Sequence, residues 1–529
     1  MSEAAPVNQH EAMWQQPRSP WLIAVVVTMA TFMEVLDTSV ANVALPHIAG
    51  NLGAGVDEST WVLTSYLMSN AVVLPLSGWL SGRFGRKRFY MSCVALFTLS
   101  SLLCGLAPSL GWLVFFRILQ GAGGGGLQPS EQAILADTFT PAKRGMGFAV
   151  YGMAVVAAPA LGPTLGGWIT DNFTWRWIFF INVPVGILSL LLTSRLIADP
   201  PYLKKQNRVG AKIDYLGFGL IALGLGMMQI VLDKGQRADW FQTPYIRIFT
   251  FIFVTALILA VIWEFRVKDP VVDLRLLKDR TFLTANVMLF MVGFVMYSST
   301  VLLPQYAQEL MAYTAQRAGM LISPGGIAIM VLMPLIGFLV THYDARKLIA
   351  FGFLMIGLAT LNMMRFNLEV DFRTMMWARV FQAAGIAFLF VPINTAAYAY
   401  LPREKGNAAS GLINLSRNIG GSVGISFVTT MLARRAQVHQ TALISHLSVY
   451  DGHFMGTVRA LTHHFLASGA NAVAATQQAY AAVGGMVARQ STLLAYIDNF
   501  WLLGMSALVL VPFVFIMKKA KPGGAVAVH

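Results

Sequence analysis

Charge is scarce in this chain, and thiols are scarcer. Only 12% of its 529 residues are charged, whereas 56% are apolar. That balance excludes a soluble domain, whose surface must be wetted. The two cysteines, Cys93 and Cys104, fall on one predicted helix about 16 Å apart along its axis, which excludes a disulfide between them. Acids are outnumbered, with 24 Asp and Glu against 38 Lys and Arg for a formal charge of +14. The basic residues are scattered among short loops rather than gathered into a patch, which argues against a nucleic-acid partner. No G-x-x-x-x-G-K-[ST] loop is present to cradle ATP, and no nucleophile, base or metal-ligand set converges at a usable spacing. The sequence therefore predicts neither an enzyme nor a bound metal or cofactor. Residues 1–20 have no apolar core or cleavage site and read as a retained cytoplasmic tail.

What is abundant is length of apolar chain. Runs of about 20 residues, each enough to cross a hydrocarbon core about 30 Å thick, recur from Trp21 to Met517. They lack the ten-residue alternation of a membrane barrel, so the backbone must pair within helices. Fourteen spans are predicted, at 21–45, 60–81, 89–107, 110–135, 146–169, 177–197, 214–232, 246–264, 282–306, 318–340, 346–364, 375–400, 407–432 and 499–517. With the amino terminus inside, 24 Lys and Arg lie in cytoplasmic segments and 11 outside. This asymmetry predicts a cytoplasmic location for both termini. The inside clusters are Arg83/Arg86/Lys87/Arg88, Lys143/Arg144, Lys204/Lys205/Arg208/Lys212 and Lys518/Lys519/Lys521.

An internal repeat organises these spans. Arg117-Ile-Leu-Gln120-Gly-Ala-Gly123 returns as Arg379-Val-Phe-Gln382-Ala-Ala-Gly385 at an offset of 262. Pro141-Ala-Lys-Arg144-Gly145 returns as Pro402-Arg-Glu-Lys405-Gly406, and Pro75-Leu-Ser-Gly78-Trp-Leu80 as Pro334-Leu-Ile-Gly337-Phe-Leu339. Spans 1–6 thus correspond to spans 9–14, with spans 7 and 8 as an inserted pair. The predicted domains are a tail at 1–20, a six-helix bundle at 21–197, a linker with the two inserted helices at 198–280, a second bundle at 281–517 and a tail at 518–529. The second bundle includes an outer segment at 433–498.

Four motifs carry a family resemblance: Leu36-Asp37-Thr-Ser-Val-Ala-Asn42-Val-Ala-Leu-Pro46 in span 1, Gly78-Trp-Leu-Ser-Gly82-Arg83-Phe-Gly85-Arg86-Lys87 after span 2, Gly162-Pro163-Thr-Leu-Gly166-Gly167 in span 5, and Trp175-Arg-Trp-Ile-Phe-Phe-Ile-Asn182-Val-Pro-Val-Gly186. Together they resemble the major facilitator superfamily, and within it the fourteen-span drug:proton antiporters. The resemblance implies an all-α polytopic membrane protein of two six-helix bundles related by a pseudo-two-fold, plus two inserted helices. It implies proton-driven export of hydrophobic or cationic drugs from a bacterial inner membrane. With the long outer segment, it also implies a periplasmic adaptor and an outer-membrane channel as partners. The second motif departs from the family at Gly82, where an aspartate is usual, so the gating salt bridge is expected to be absent or replaced. A dedicated exporter of one metabolite, fatty acid or detergent-like compound, and a membrane scaffold or receptor for an envelope complex, stay open as alternatives.

Intramembrane ionisable residues are the candidates for coupling. Glu34 and Asp37 lie three apart, about one turn from each other on span 1. Asp37 falls roughly 24 Å into the membrane and Arg117 about 10 Å below the opposite surface, so their depths nearly coincide; the resemblance implies that spans 1 and 4 line one cavity, across which the two can attract. Asp37, Glu34 and Arg117 are the predicted proton-coupling set. Glu34, Phe32, Tyr297, Asn414 and Arg417 are candidate substrate contacts. Gly78, Arg83, Gly85, Arg86, Gly162, Pro163, Gly166 and Gly167 are the expected gating positions, and Pro163 invites a kink. The glycine run 123–126 allows close helix approach or flexing. Arg379 repeats Arg117, while Val295 falls near the place where Asp37 would repeat. In the outer segment His439, His446 and His453, spaced by seven, are expected as one helical stripe facing a partner rather than a metal site.

Overall fold

The computed structural model describes residues 18–140, 143–200, 214–267, 270–399, 401–402 and 405–519. Most of the two predicted tails, Lys521 and the Lys204–Lys212 cluster lie outside the described residues. Every span is helical. Spans 1 to 3 are Pro20–Leu52, Trp61–Phe84 and Arg86–Gly105, and span 4 is two helices, Leu110–Gly124 and Leu127–Thr138. Spans 5 and 6 are Arg144–Asn172 and Trp177–Phe180 continued by Asn182–Leu196. The inserted pair is Tyr215–Lys234 and Pro244–Arg266. Spans 9 to 12 are Arg280–Glu309, Ala315–His342, Ala345–Asn362 and Phe372–Ala397.

The helix ends follow from local sequence. Asp214, Asp279, Asp344 and Asp371 each precede a span and accept hydrogen bonds from its first backbone N–H groups, where the helix has no internal acceptors. Gly85, at φ 88°, turns span 2 sharply into span 3 in a conformation that costs other residues a Cβ clash.

Among the described residues, ten of these spans and span 14 (Ala472–Phe513) are long and apolar enough to cross a membrane on composition alone. Spans 2, 4 and 13 are not among them: span 4 is broken into two helices too short to count, and all three are polar for a membrane span. They carry their polar residues inward, including Asn70, Gln120, Gln128, Asn414 and Arg417, all buried. These polar faces of spans 2, 4 and 13 line the interior, while Trp112 and Phe115 leave an apolar outer face on span 4.

Helix contacts repeat with the sequence. In the first half span 1 packs on spans 5 and 6, span 4 on spans 2 and 3, and span 3 on span 6. In the second half span 9 packs on 13 and 14, span 12 on 10 and 11, and span 11 on 14. Between the bundles span 5 lies against span 10 and span 2 against span 13, a pairing that is itself symmetric. Gln132 and Asn394, 262 residues apart, hydrogen-bond to each other at 3.2 Å, so the pseudo-two-fold passes between them.

The segment 433–498 departs from expectation. Span 13 does not stop near 432 but continues as one helix, Gly406–Ser445, and span 14 starts early, as Ala472–Phe513. A short helix, Gly452–Ala467, packs on span 14 between them. The expected histidine stripe is therefore broken, because His446 caps the end of one helix and His453 begins another. Heptad spacing has no meaning across a turn.

Candidate functional site

Asp37 and Arg117 meet in the first bundle. The Arg117 Nη1 donates to Asp37 Oδ2 at 2.5 Å, with both side chains essentially removed from solvent. Gln120 Nε2 and Asn182 Nδ2 donate to the other carboxylate oxygen at 3.1 and 2.7 Å. The guanidinium also bonds the Gln120 and Val62 carbonyls and lies 4.3 Å over the Tyr66 ring. A charge this deep is tolerable only when paired and fully hydrogen-bonded, and Asp37 is both.

Glu34, one turn away, has a separate partner set. One carboxyl oxygen accepts from Tyr66 Oη at 3.0 Å and Asn70 Nδ2 at 3.2 Å, and the other accepts from Gln128 Nε2 at 2.7 Å. No cation touches it directly. Gln128 instead turns its carbonyl to Arg417 of span 13, in the opposite bundle. Arg417 also donates to Tyr151 Oη at 3.1 Å and Asn414 Oδ1 at 2.8 Å, and Asn414 Nδ2 donates to Gln132 at 2.8 Å. A single amide thus links a carboxyl of one half to a guanidinium of the other.

A cavity of about 270 Å³ opens beside this network. Glu34, Tyr66, Asn70, Gln128 and Tyr297 line it, with Met228, Gln229 and Asp233 from inserted span 7. Asp37, Asn414 and Arg417 stay behind that lining. Phe32 packs instead with Val35, Val40 and their apolar neighbours, as its turn of span 1 faces the bundle interior. Span 7 occupies the gap where spans 2 and 13 part: its Gln229 accepts from Ser422 at 2.8 Å, and Trp240, in the turn that follows it, donates to Thr430 at 3.2 Å.

The gap closes toward the face where the described residues begin and end, near Pro20 and Lys518. A Cβ on Gly78 would lie 2.9 Å from Ala408 Cα, and one on Gly337 would lie 3.1 Å from Met146 Cα. Arg86 forms the lock there. It donates to Asp137 at 2.5 Å and to Asn407 of span 13 at 2.8 Å. Asp137, an acid the sequence reading passed over, replaces the salt bridge that Gly82 cannot supply. Arg83 lies over Trp79. Gly162 and Gly166 bring span 5 against Ser39 and Val40, and Pro163 touches Gly319 of span 10. The Pro159 carbonyl, whose helical donor Pro163 removes, accepts from Ser39 Oγ at 3.1 Å instead. The glycine run does both things expected of it. Span 4 breaks at Gly125 and Gly126, while Gly123 lets Phe97 and Cys93 backbone approach.

Sequence reasoning quoted Gln120 and Asn182 within motifs but gave them no role, and it missed Gln128, Tyr151 and Glu131, although Glu131 is an intramembrane acid visible by hydropathy. It also placed the counterpart of Asp37 at Val295. The residue facing Arg379 is Ser299, 262 after Asp37, at 2.9 Å. The offset read from span 4 holds for span 1 as well.

Two symmetric helical bundles around a central, largely apolar cavity with polar groups on its wall, closed at one end, have the architecture of a membrane transporter. A description of the Major Facilitator Superfamily matches residues 27–425, and the chain belongs to that superfamily. It is 35% identical over 498 residues to the multidrug export protein EmrB of Escherichia coli (strain K12), covering 94% of this chain and 95% of that one. It is 36% identical over 491 residues to the fatty acid resistance protein FarB of Neisseria gonorrhoeae, covering 93% and 94%. Among solved structures, the proton:xylose symporter XylE bound to 6-bromo-6-deoxy-D-glucose shares the fold, with a TM-score of 0.60, 13% identity and coverage of 96% and 97%.

Proposed function

We propose that this protein is a proton-coupled multidrug efflux antiporter that exports hydrophobic or amphipathic compounds by alternating access. The observation that carries the reading is a cavity-lining carboxyl, Glu34, joined by Gln128 alone to Arg417 of the opposite bundle. The buried Asp37–Arg117 pair lies one turn away. Protonating Glu34 on Oε2 turns the oxygen that accepts from the Gln128 amide into a donor, so a proton at the cavity wall changes what Arg417 sees across the bundle interface. A cationic or polar aromatic substrate competes with the proton for the same oxygens, against Tyr66 and Tyr297. Asp37 is the second member of the coupling set, its charge tied to the position of span 4 through Arg117. No cofactor is required. Each charge crossing about 100 mV yields about 2.3 kcal/mol, enough for a roughly fifty-fold gradient.

The orientation that agrees with the loop charges puts both termini in the cytoplasm of a bacterium and the protein in its inner membrane. The closed end is then cytoplasmic and the cavity faces outward. The helical hairpin between spans 13 and 14 stands on the outer side, where it suits an EmrA-type periplasmic adaptor leading to an outer-membrane channel. Drug-induced proton release by purified protein tests coupling. The wild type should acidify an unbuffered solution when drug is added, and Asp37→Asn and Glu34→Gln should each reduce that release at least about fivefold. Wild-type protein that binds drug and releases no proton at any pH refutes the antiport.

A further inference from the structure

The second half of span 4 carries a carboxyl that the cavity site does not use. Glu131 is fully buried. One of its oxygens accepts from Thr28 Oγ1 of span 1 at 2.5 Å, and the other has no hydrogen-bond partner. Spans 1, 2, 3, 5 and 13 pack around this half-helix. Their ionisable groups on that side are Glu34, Tyr66, Tyr90, Cys93, Tyr151 and Arg417. Tyr66 is bonded to Glu34, Tyr90 to the Val27 carbonyl, and Arg417 to Gln128, Tyr151 and Asn414. Cys93 is a buried free thiol. The cations nearer the closed end are engaged too: Arg86 with Asp137, Asn407 and the Ala133 carbonyl, and Arg144 with the Ala136 carbonyl. A lone carboxylate without a cation in such a place costs several kcal/mol, so Glu131 is carried as the neutral acid in this conformation.

Its position gives that acid a use. Thr28, Thr31 and Glu34 follow one another at intervals of three along span 1, a polar line of about 9 Å from the cavity wall to the Glu131 carboxyl. From Glu131 to Asp137, six residues along span 4, is about another 9 Å, ending at the Arg86 lock. Thr31 Oγ1 is buried and unbonded midway.

We infer that Glu131 is a second proton-binding site, in series with Glu34, on the leg that carries the proton from the cavity to the closed end. Glu131 gives up its proton toward the Asp137 side and becomes the carboxylate. Glu34, loaded from the cavity, then breaks its O–H bond. The proton passes through the Thr31 and Thr28 hydroxyls, with water between them, and re-forms an O–H bond on Glu131. One proton enters and one leaves, with no change of oxidation state. The inference rests on the proton-coupled reading above.

The test is Glu131→Gln in proteoliposomes loaded with a fluorescent cationic drug, with two assays side by side. Drug-for-drug exchange needs no proton passage and should stay within about twofold of wild type. Transport driven by an imposed pH difference should fall at least tenfold, and Glu131→Asp should recover part of it. Thr28→Val should show the same split, which covers the case in which Glu131→Gln fails to fold. Loss of both assays in parallel in folded variants assigns Glu131 a structural role and overturns the inference. So does driven transport within twofold of wild type. If wild type itself ignores the pH difference, the antiport reading falls. If wild type responds and Glu131→Gln responds equally, only the present inference falls.

Discussion

The two bundles carry the same arginine in two different settings. Arg117 and Arg379, 262 residues apart, each bond a glutamine one turn on, at 2.8 and 2.7 Å. In the first bundle the guanidinium then takes Asp37. In the second it takes the Ser299 and Thr300 hydroxyls at 2.9 and 3.1 Å. At the same offset Glu34 corresponds to Met296 and Glu131 to Ile393. A buried arginine can evidently be housed by hydroxyls and an amide, so the arginine belongs to the shared scaffold. The three acids are what the first bundle adds, and they need a separate explanation. The second bundle keeps carboxylates at its rim, where Asp279 and Asp344 cap spans 9 and 11 and pair with Lys518 and Arg346.

The comparison breaks most readily at the pairs themselves. Asp37→Ala strands a buried guanidinium, so it should cost about 3–5 kcal/mol of stability and abolish driven transport. Thermal unfolding in detergent beside a transport assay measures both. Next in size is closure: Gly78→Val puts side chain into span 13 backbone and should lower transport at least about tenfold by holding the closed end apart. Cysteine labelling across spans 2 and 13 should report more accessible sites. Gly167→Ala is the control, because a Cβ there meets nothing within 4 Å, and should stay within about twofold. Ser299→Ala removes one hydroxyl acceptor and should cost only about 1 kcal/mol, with driven transport nearly unchanged. An effect as large as that of Asp37→Ala would erase the asymmetry between the halves.

The smallest effect is at the rim. Burial pushes the Asp279 carboxyl up, but the Lys518 hydrogen bond, the Phe282 N–H, the Lys518 charge and the Thr281 N–H together hold it below the usual value of 3.8. Asp344 behaves likewise, burial being outweighed by Arg346. A depressed folded value means stability that is present above the unfolded value and lost as pH falls through the folded one. Unfolding below about pH 4 should therefore be less steep in Asp279→Asn than in wild type, by a few tenths of a kcal/mol per pH unit after allowance for exposure.

Much of this was legible beforehand because lipid enforces it. Apolar runs long enough to span must be helices, and a repeat offset found in span 4 carries the pairing of the remaining helices with it. The meeting of Asp37 and Arg117 followed from depth together with the resemblance, which puts spans 1 and 4 on one cavity. What failed was whatever depends on rotation about a helix axis or on where a helix ends. Phe32 and Glu34 are two residues apart, so they face different surroundings, and only Glu34 reaches the cavity. The histidine spacing assumed a helix that stops at Ser445. Asp137 lay just past a predicted span boundary, so it was not tried as the partner that Gly82 lacks. Glu131 sat inside a predicted span but resembled no motif.

Span 13 is a rod of 40 residues, about 60 Å long, with Asn414 and Arg417 near one end and the hairpin at the other. Pivoting it by about ten degrees at its middle would swing the far tip by about 5 Å. A mechanical lever is thus built into the chain, and any tilt of the end that holds Asn414 and Arg417 is carried to the hairpin at the other.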